Sequence, residues 1–250
     1  MPLKTTSFIV VFLLLFNAVR AGGSDSAESV KPSCFPYLLE GNEKYCTDYV
    51  LKFARDRRGY LIRTWAKGRN FFPKISSILK KHNVPEEFRV LIALESGFNG
   101  KARSKAGAYG YWQFMDDVAK EYGLRIAANK GRPASKGKHV VDDRTNFTRS
   151  TSAAAKYLRD RMRNLNNDPL LIAASYNWGV GNVWNAMEKC GKTSPTFWDI
   201  KKYMPAETRS YVMNFIALNV IFHNYDAFLS NSLVFEENIM DESAPMAISK

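Results

Sequence analysis

Apolar residues recur along this chain at helical spacing, and the stretches between them are polar or glycine-rich. From Phe71 to His82 they fall at Phe72, Ile75, Ile78 and Leu79, with Lys74, Lys80 and Lys81 on the other face, which predicts an amphipathic helix. Upstream, Asn42 to about Lys67 also reads as helical, with Tyr45, Tyr49, Phe53 and Tyr60 as its larger apolar positions and Arg55 to Arg58 as a solvated face. Asn83-Val84-Pro85 is a turn, and Pro85 suits the first turn of the next helix, where Glu86 and Glu87 meet its positive end. That helix places Phe88, Leu91 and Ile92 at i, i+3 and i+4, and Gly97 breaks it. Asn99 to Gly110, rich in Gly, Ala, Ser and Lys, is a loop. A short helix follows over Val118 to Tyr122, then an exposed basic loop from Lys130 to His139. Thr151 to Leu165 is a helix with Ala154, Tyr157, Leu158 and Met162 inward. Leu170 to Ser175 is apolar and helical, and Phe215 to Phe222 forms an apolar closing helix.

Composition supports a packed domain and adds a compartment. The chain has 250 residues, 46% of them hydrophobic, which suffices for one domain with a sizeable core and excludes a disordered chain. Lys4, the apolar run Phe8 to Phe16 and the small residue Ala21 read as a secretory signal over 1–21, removed after Ala21. The run is short for a membrane span, so no stable span is expected once the signal is cleaved; an uncleaved anchor is the alternative. Residues 22–41 read as a leader, 42–226 as the domain and 227–250 as a mobile acidic tail. Export permits disulfides, and three cysteines allow at most one internal bridge. Cys34 with Cys46 is the local pairing, and three free thiols are the alternative. No His/Cys cluster suggests a metal, and no cofactor is expected. The net charge of +12 invites an anionic partner, but Lys and Arg are dispersed and no nucleic-acid module signature is present. Oligomeric state is not legible.

The chemistry concentrates at Glu95. It takes the place after Phe88, Leu91 and Ile92 on the apolar face, in the last turn of its helix. Desolvation and the negative helix end both favour its neutral form, so it could be held protonated near neutral pH and give a proton to a leaving group. A boundary glutamate reaching for solvent or an arginine fits the helix equally well.

The residues that follow shift the balance. Glu95-Ser96, the small-residue loop Ser104 to Gly107, and Gly110-Tyr111-Trp112-Gln113-Phe114-Met115 resemble the signature of the lytic transglycosylases of bacterial cell walls, closest to the D-type murein transglycosylases. The likeness runs in order from about Arg63 to Asn224, through Asp142-Asp143-Arg144, Tyr176-Asn177-Trp178-Gly179, Phe197 to Ile200 and Pro205 to Val212. It implies an all-α, lysozyme-like fold. It implies Glu95 as the catalytic acid, with Ser104, Gln113, Tyr176, Asn177 and Tyr211 as substrate-binding residues, Tyr176 and Asn177 on a loop lining the cleft and Tyr211 reaching toward the acid. Two positions depart from the pattern. Asp116-Asp117 stand where the family usually has Pro-Ser, and Trp178 stands for an alanine, where it would narrow a subsite or offer a stacking surface.

The resulting expectation is an exported, periplasmic or secreted enzyme acting on peptidoglycan glycan strands. It would cleave between N-acetylmuramic acid and N-acetylglucosamine and leave 1,6-anhydro ends. Two alternatives stand beside it. One is a hydrolytic muramidase, for which Asp116 or Asp117 would position water; the other is a non-catalytic wall-binding protein on the same fold.

Overall fold

The structure, a computed structural model, describes residues 41–126, 141–233 and 235. Among these residues the chain forms eleven α-helices, three short 3₁₀ turns and no strand, only two isolated bridges around Tyr109. The expected all-α domain is therefore what the described chain forms.

The helix expected as the closing element is instead the centre. Helix α10 spans Ala206–His223, and its residues Val212, Met213, Phe215 to Leu218 and Val220 to Phe222 are all buried. A helix apolar on every side must be sheathed on every side. It packs against α1 (Glu43–Asp56) and against α7 (Pro169–Trp178), whose Leu170 to Ser175 are likewise buried. Asp168 caps α7, its carboxylate accepting from the Leu170 and Leu171 amides. Helix α3 (Phe72–Lys81) buries the four residues that its stripe predicts and packs on α6 (Phe147–Asn164).

Several boundaries differ from expectation. The helix expected over 42–67 is two, α1 and α2 (Arg58–Gly68), parted at Arg57, which leaves helical geometry at φ −114°. The inward face of α1 is Cys46, Val50 and Ala54, small residues that allow close approach to α10, while Tyr45 and Tyr60 are exposed. Arg58 is not merely solvated: it donates to the carbonyls of Phe228 and Leu229 and so holds α11 (Tyr225–Leu229). The boundary expected at Asp226 falls inside α11, whose Phe228 is buried in the core. Among the described residues Cys46 is a free thiol packed in that core; the expected bridge turns on Cys34, which lies outside the described residues. So do the expected signal, nearly all of the leader, the 130–139 loop and the acidic end of the tail.

The glutamate helix is composite. A 3₁₀ turn, Glu86–Val90, runs into α4, Leu91–Ser96. Phe88, Leu91 and Ile92 are buried all the same, because both helical forms keep them facing the core. Gly97 ends α4 in the left-handed conformation at φ 56°. Helix α5 is Asp116–Glu121, and α9 is Phe197–Ile200, closed by a Thr196–Asp199 capping box. Helix α8 (Val180–Cys190) is unforeseen: it buries Val183 and Ala186 and packs Val180, Met187 and Cys190 against the core. No described helix is long and apolar enough to cross a membrane.

Candidate active site

Glu95 sits in the last turn of α4, and Gly97 turns the chain away directly after it. Across 116 positions of sequence, the Tyr211 hydroxyl on α10 donates to Glu95 Oε1 at 2.5 Å. Burial pushes the Glu95 carboxyl from its ordinary 4.5 up to about 7, and the bond from Tyr211, which favours the anion, works against that rise. The acid is thus poised between its two forms near neutral pH.

Tyr211 and Tyr176 are both held well above the ordinary tyrosine value, by burial first and by the Glu95 charge next, so both stay protonated donors. Tyr176 donates to the Trp112 carbonyl at 2.8 Å. Trp112 is fully buried, and its indole N–H donates to Thr151 Oγ1 at 3.0 Å, so it is core and not a sugar platform. A third tyrosine, Tyr157 on α6, stands edge-on to Tyr176 with ring centroids 5.3 Å apart. Burial raises its hydroxyl to about 12, and the Glu95 charge adds to the rise. Its spacing marks it as inward, but no sequence signal places it by the acid.

The loop after α4 is tied at several points. The Ser96 hydroxyl donates to the Tyr111 carbonyl at 2.7 Å. Ser104 closes a tight turn: its hydroxyl accepts from the Ala108 amide at 3.0 Å, and its carbonyl accepts from the Gly107 amide at 3.1 Å. Gln113 is held at φ 49°, and its side-chain NH₂ donates to the carbonyls of Ala102, at 3.0 Å, and Gly110, at 2.8 Å. Gly110 is obligatory, because at φ 86° a Cβ there would lie 2.2 Å from the Arg144 carbonyl oxygen. Arg144 is buried and clamps the end of the loop by donating to the Phe114 carbonyl and to Asp116, while Asp142 takes its other side.

The six expected residues therefore fall into two groups. Tyr211 touches the acid, and Tyr176 lies in its field. Ser104 and Gln113 brace the loop, and Asn177 joins α7 to α10 by accepting from Thr208 Oγ1 at 2.9 Å. Tyr176 and Asn177 stand in the last turns of α7, not on a loop, and Trp178 ends that helix, half-buried. The Gln113 carbonyl oxygen and the Asn177 NH₂ make no hydrogen bond among the described residues and are what those amides can still offer a ligand. Asp116 is paired with Arg144 at 2.5 Å, whereas Asp117 points to solvent beside Lys120. Among the described residues no group of acidic, His or Cys side chains could hold a metal ion.

The chain matches a family model described as "Transglycosylase SLT domain" over residues 74–196. It is similar to membrane-bound lytic murein transglycosylase D of Escherichia coli (strain K12), at 31% identity over 69% of this chain and 36% of that protein. It is also similar to membrane-bound lytic murein transglycosylase F of Salmonella arizonae, at 26% identity over 76% of this chain and 33% of that protein. The chain thus spans about a third of the length of each of these two relatives. Among solved structures it resembles the lytic transglycosylase Slt of Pseudomonas aeruginosa, with 21% identity, 66% of this chain and 25% of that chain covered, and a TM-score of 0.46.

Proposed function

This chain carries a transglycosylase SLT domain and is homologous to membrane-bound lytic murein transglycosylase D, and from that premise we propose that it is a peptidoglycan lytic transglycosylase with Glu95 as acid and then base. The observation that carries the reading is the Tyr211–Glu95 hydrogen bond at a carboxyl held near neutral pH. Glu95 would give its proton to the glycosidic oxygen between N-acetylmuramic acid and N-acetylglucosamine. The substrate's own acetamido group would stabilise C1 as that bond breaks. Glu95, now a carboxylate, would take the proton of the muramoyl C6 hydroxyl as its oxygen bonds C1, which closes the 1,6-anhydro ring and restores the acid. One enzyme carboxylate suffices, unlike the usual two-carboxylate glycosidase. Tyr211 steadies the anionic form between the two proton transfers. Tyr176 shapes the wall, Ser104 and Gln113 set the loop, and Asn177 sets the α7 end against which the glycan would lie. The substrate lies outside the cytoplasm, so we place the protein in the exported fraction, as the 1–21 signal implies.

Water as nucleophile would need a second carboxylate free to position it. Asp116 is neutralised by the buried Arg144 and Asp117 is fully solvated, which disfavours the muramidase alternative. A wall-binding protein without activity would have no need of an acid poised near 7 against a tyrosine. Mass spectrometry of products from purified peptidoglycan tests the reading. Anhydro ends are expected, Glu95→Gln should abolish turnover, and Asp117→Asn should retain it. Reducing ends that vanish on Asp116→Asn, with the fold retained, would put the muramidase in its place.

A further inference from the structure

One turn beyond Tyr157, α6 carries a cation that the acid and its tyrosines do not use. Arg161 lays its guanidinium over the Tyr157 ring, 4.9 Å from the centroid. That ring in turn meets Tyr176, so Arg161 is one aromatic layer behind the wall of the Glu95 site. It also reaches the Tyr122 hydroxyl.

The neighbouring acid on α6 is otherwise engaged. Asp160 accepts from Tyr122 at 3.1 Å and pairs with Arg163 at 3.6 Å. Among the described residues Arg161 has no ion pair, and its Nε is shut off from solvent without an acceptor. Several other arginines are paired: Arg144 with Asp142 and Asp116, and Arg125 and Arg149 both with Asp143, while Arg159 on the same helix shares the unpartnered Nε but lies over no ring among the described residues. A guanidinium that is already oriented, partly desolvated and lacking an anion is prepared for a carboxylate, whose two oxygens match its fork.

We propose that Arg161 is a carboxylate subsite, which takes a free carboxylate from the peptide arm of the glycan whose sugar backbone lies against the Glu95 wall. This rests on the peptidoglycan reading for the identity of the ligand. The arms hang from the muramic acid lactyl groups, so they lie beside the scissile sugar and not along the strand axis. The Tyr157 ring sets the guanidinium plane, and its hydroxyl, held protonated, does not compete as an anion.

The test is binding, read apart from turnover. In a Glu95→Gln background, calorimetry compares a peptide-bearing glycan fragment with the same fragment after an amidase has removed the peptides. Stripping the peptides should weaken binding roughly tenfold or more, the usual worth of a charge-assisted pair. Adding Arg161→Gln should erase that difference and leave affinity for the stripped glycan unchanged; Arg161→Lys should keep part of it. Equal losses for both fragments would mean that Arg161 only braces Tyr157 and would overturn the proposal, as would a preference for peptides that survives Arg161→Gln. Absence of turnover in the unsubstituted enzyme would sink the activity without touching this comparison.

Discussion

Replacing Glu95 by Gln should stabilise the protein, and only above a definite pH. The folded state raises this carboxyl from 4.5 to about 7 because burial penalises its anion. Below pH 4.5 both folded and unfolded chains keep the proton, and nothing is lost. As pH climbs from 4.5 through about 7, the unfolded chain releases its proton first, so folding must retain a proton or bury a charge, and stability falls. Above about 7 the loss is complete. The interval between the two values corresponds to about 3 kcal/mol. Glutamine keeps the shape, accepts from Tyr211 through its carbonyl oxygen and cannot ionise, so it escapes the whole of this term. Urea unfolding of both proteins at a series of pH values from 4 to 8.5 reads it directly, since every other titrating group cancels in the difference. The stability of Glu95→Gln relative to the unsubstituted protein should rise by about 3 kcal/mol across that range, most steeply between 5 and 7. A difference flat with pH would mean that Glu95 is not desolvated, and a falling one would mean that its anion is the favoured form; either refutes the poised acid.

Tyr211→Phe removes the donor that favours the Glu95 anion, so the carboxyl should climb further. The alkaline limb of turnover on soluble glycans should move up by about one pH unit while kcat falls, and a limb that stays put would detach Tyr211 from the acid. Gly110→Ala would press a Cβ onto the Arg144 carbonyl at a positive φ. It should cost at least about 2 kcal/mol in chemical denaturation and lower activity with it, because the same turn carries Gln113. Cys46 is buried, and burial raises its thiol to about 12, so in native protein it should resist alkylation until the chain unfolds. Peptide mapping that finds it labelled as fast in native as in denatured protein would remove it from the core.

The sequence by itself determined what depends on neighbours a few positions apart. The Phe88–Leu91–Ile92 stripe is legible because helical spacing puts those residues on one face whether the turn is 3₁₀ or α, and Gly97 ends the helix because it tolerates a left-handed φ. The placement of Glu95 on that face follows, and so does the expectation of a raised acid. The motif order foretold Tyr211 as its partner by resemblance. Other features were invisible to local spacing. The inward face of α1 depends on how closely α10 approaches, which selects the small Cys46, Val50 and Ala54 over the larger Tyr45. Asp116 reads as a helix-opening acid, yet its fate is set by Arg144, delivered from 28 residues away into a buried position where an unpaired charge would be costly. Tyr157 and Arg161 carry no motif. Only the packing of α6 beside α7 sets one ring edge-on to another and leaves a guanidinium behind them. Periodicity reports which side of a helix faces inward. Which side chains then meet depends on tertiary packing, where α7 locks to α10 through Asn177 and Thr208 and the Glu95–Tyr211 pair closes across 116 residues.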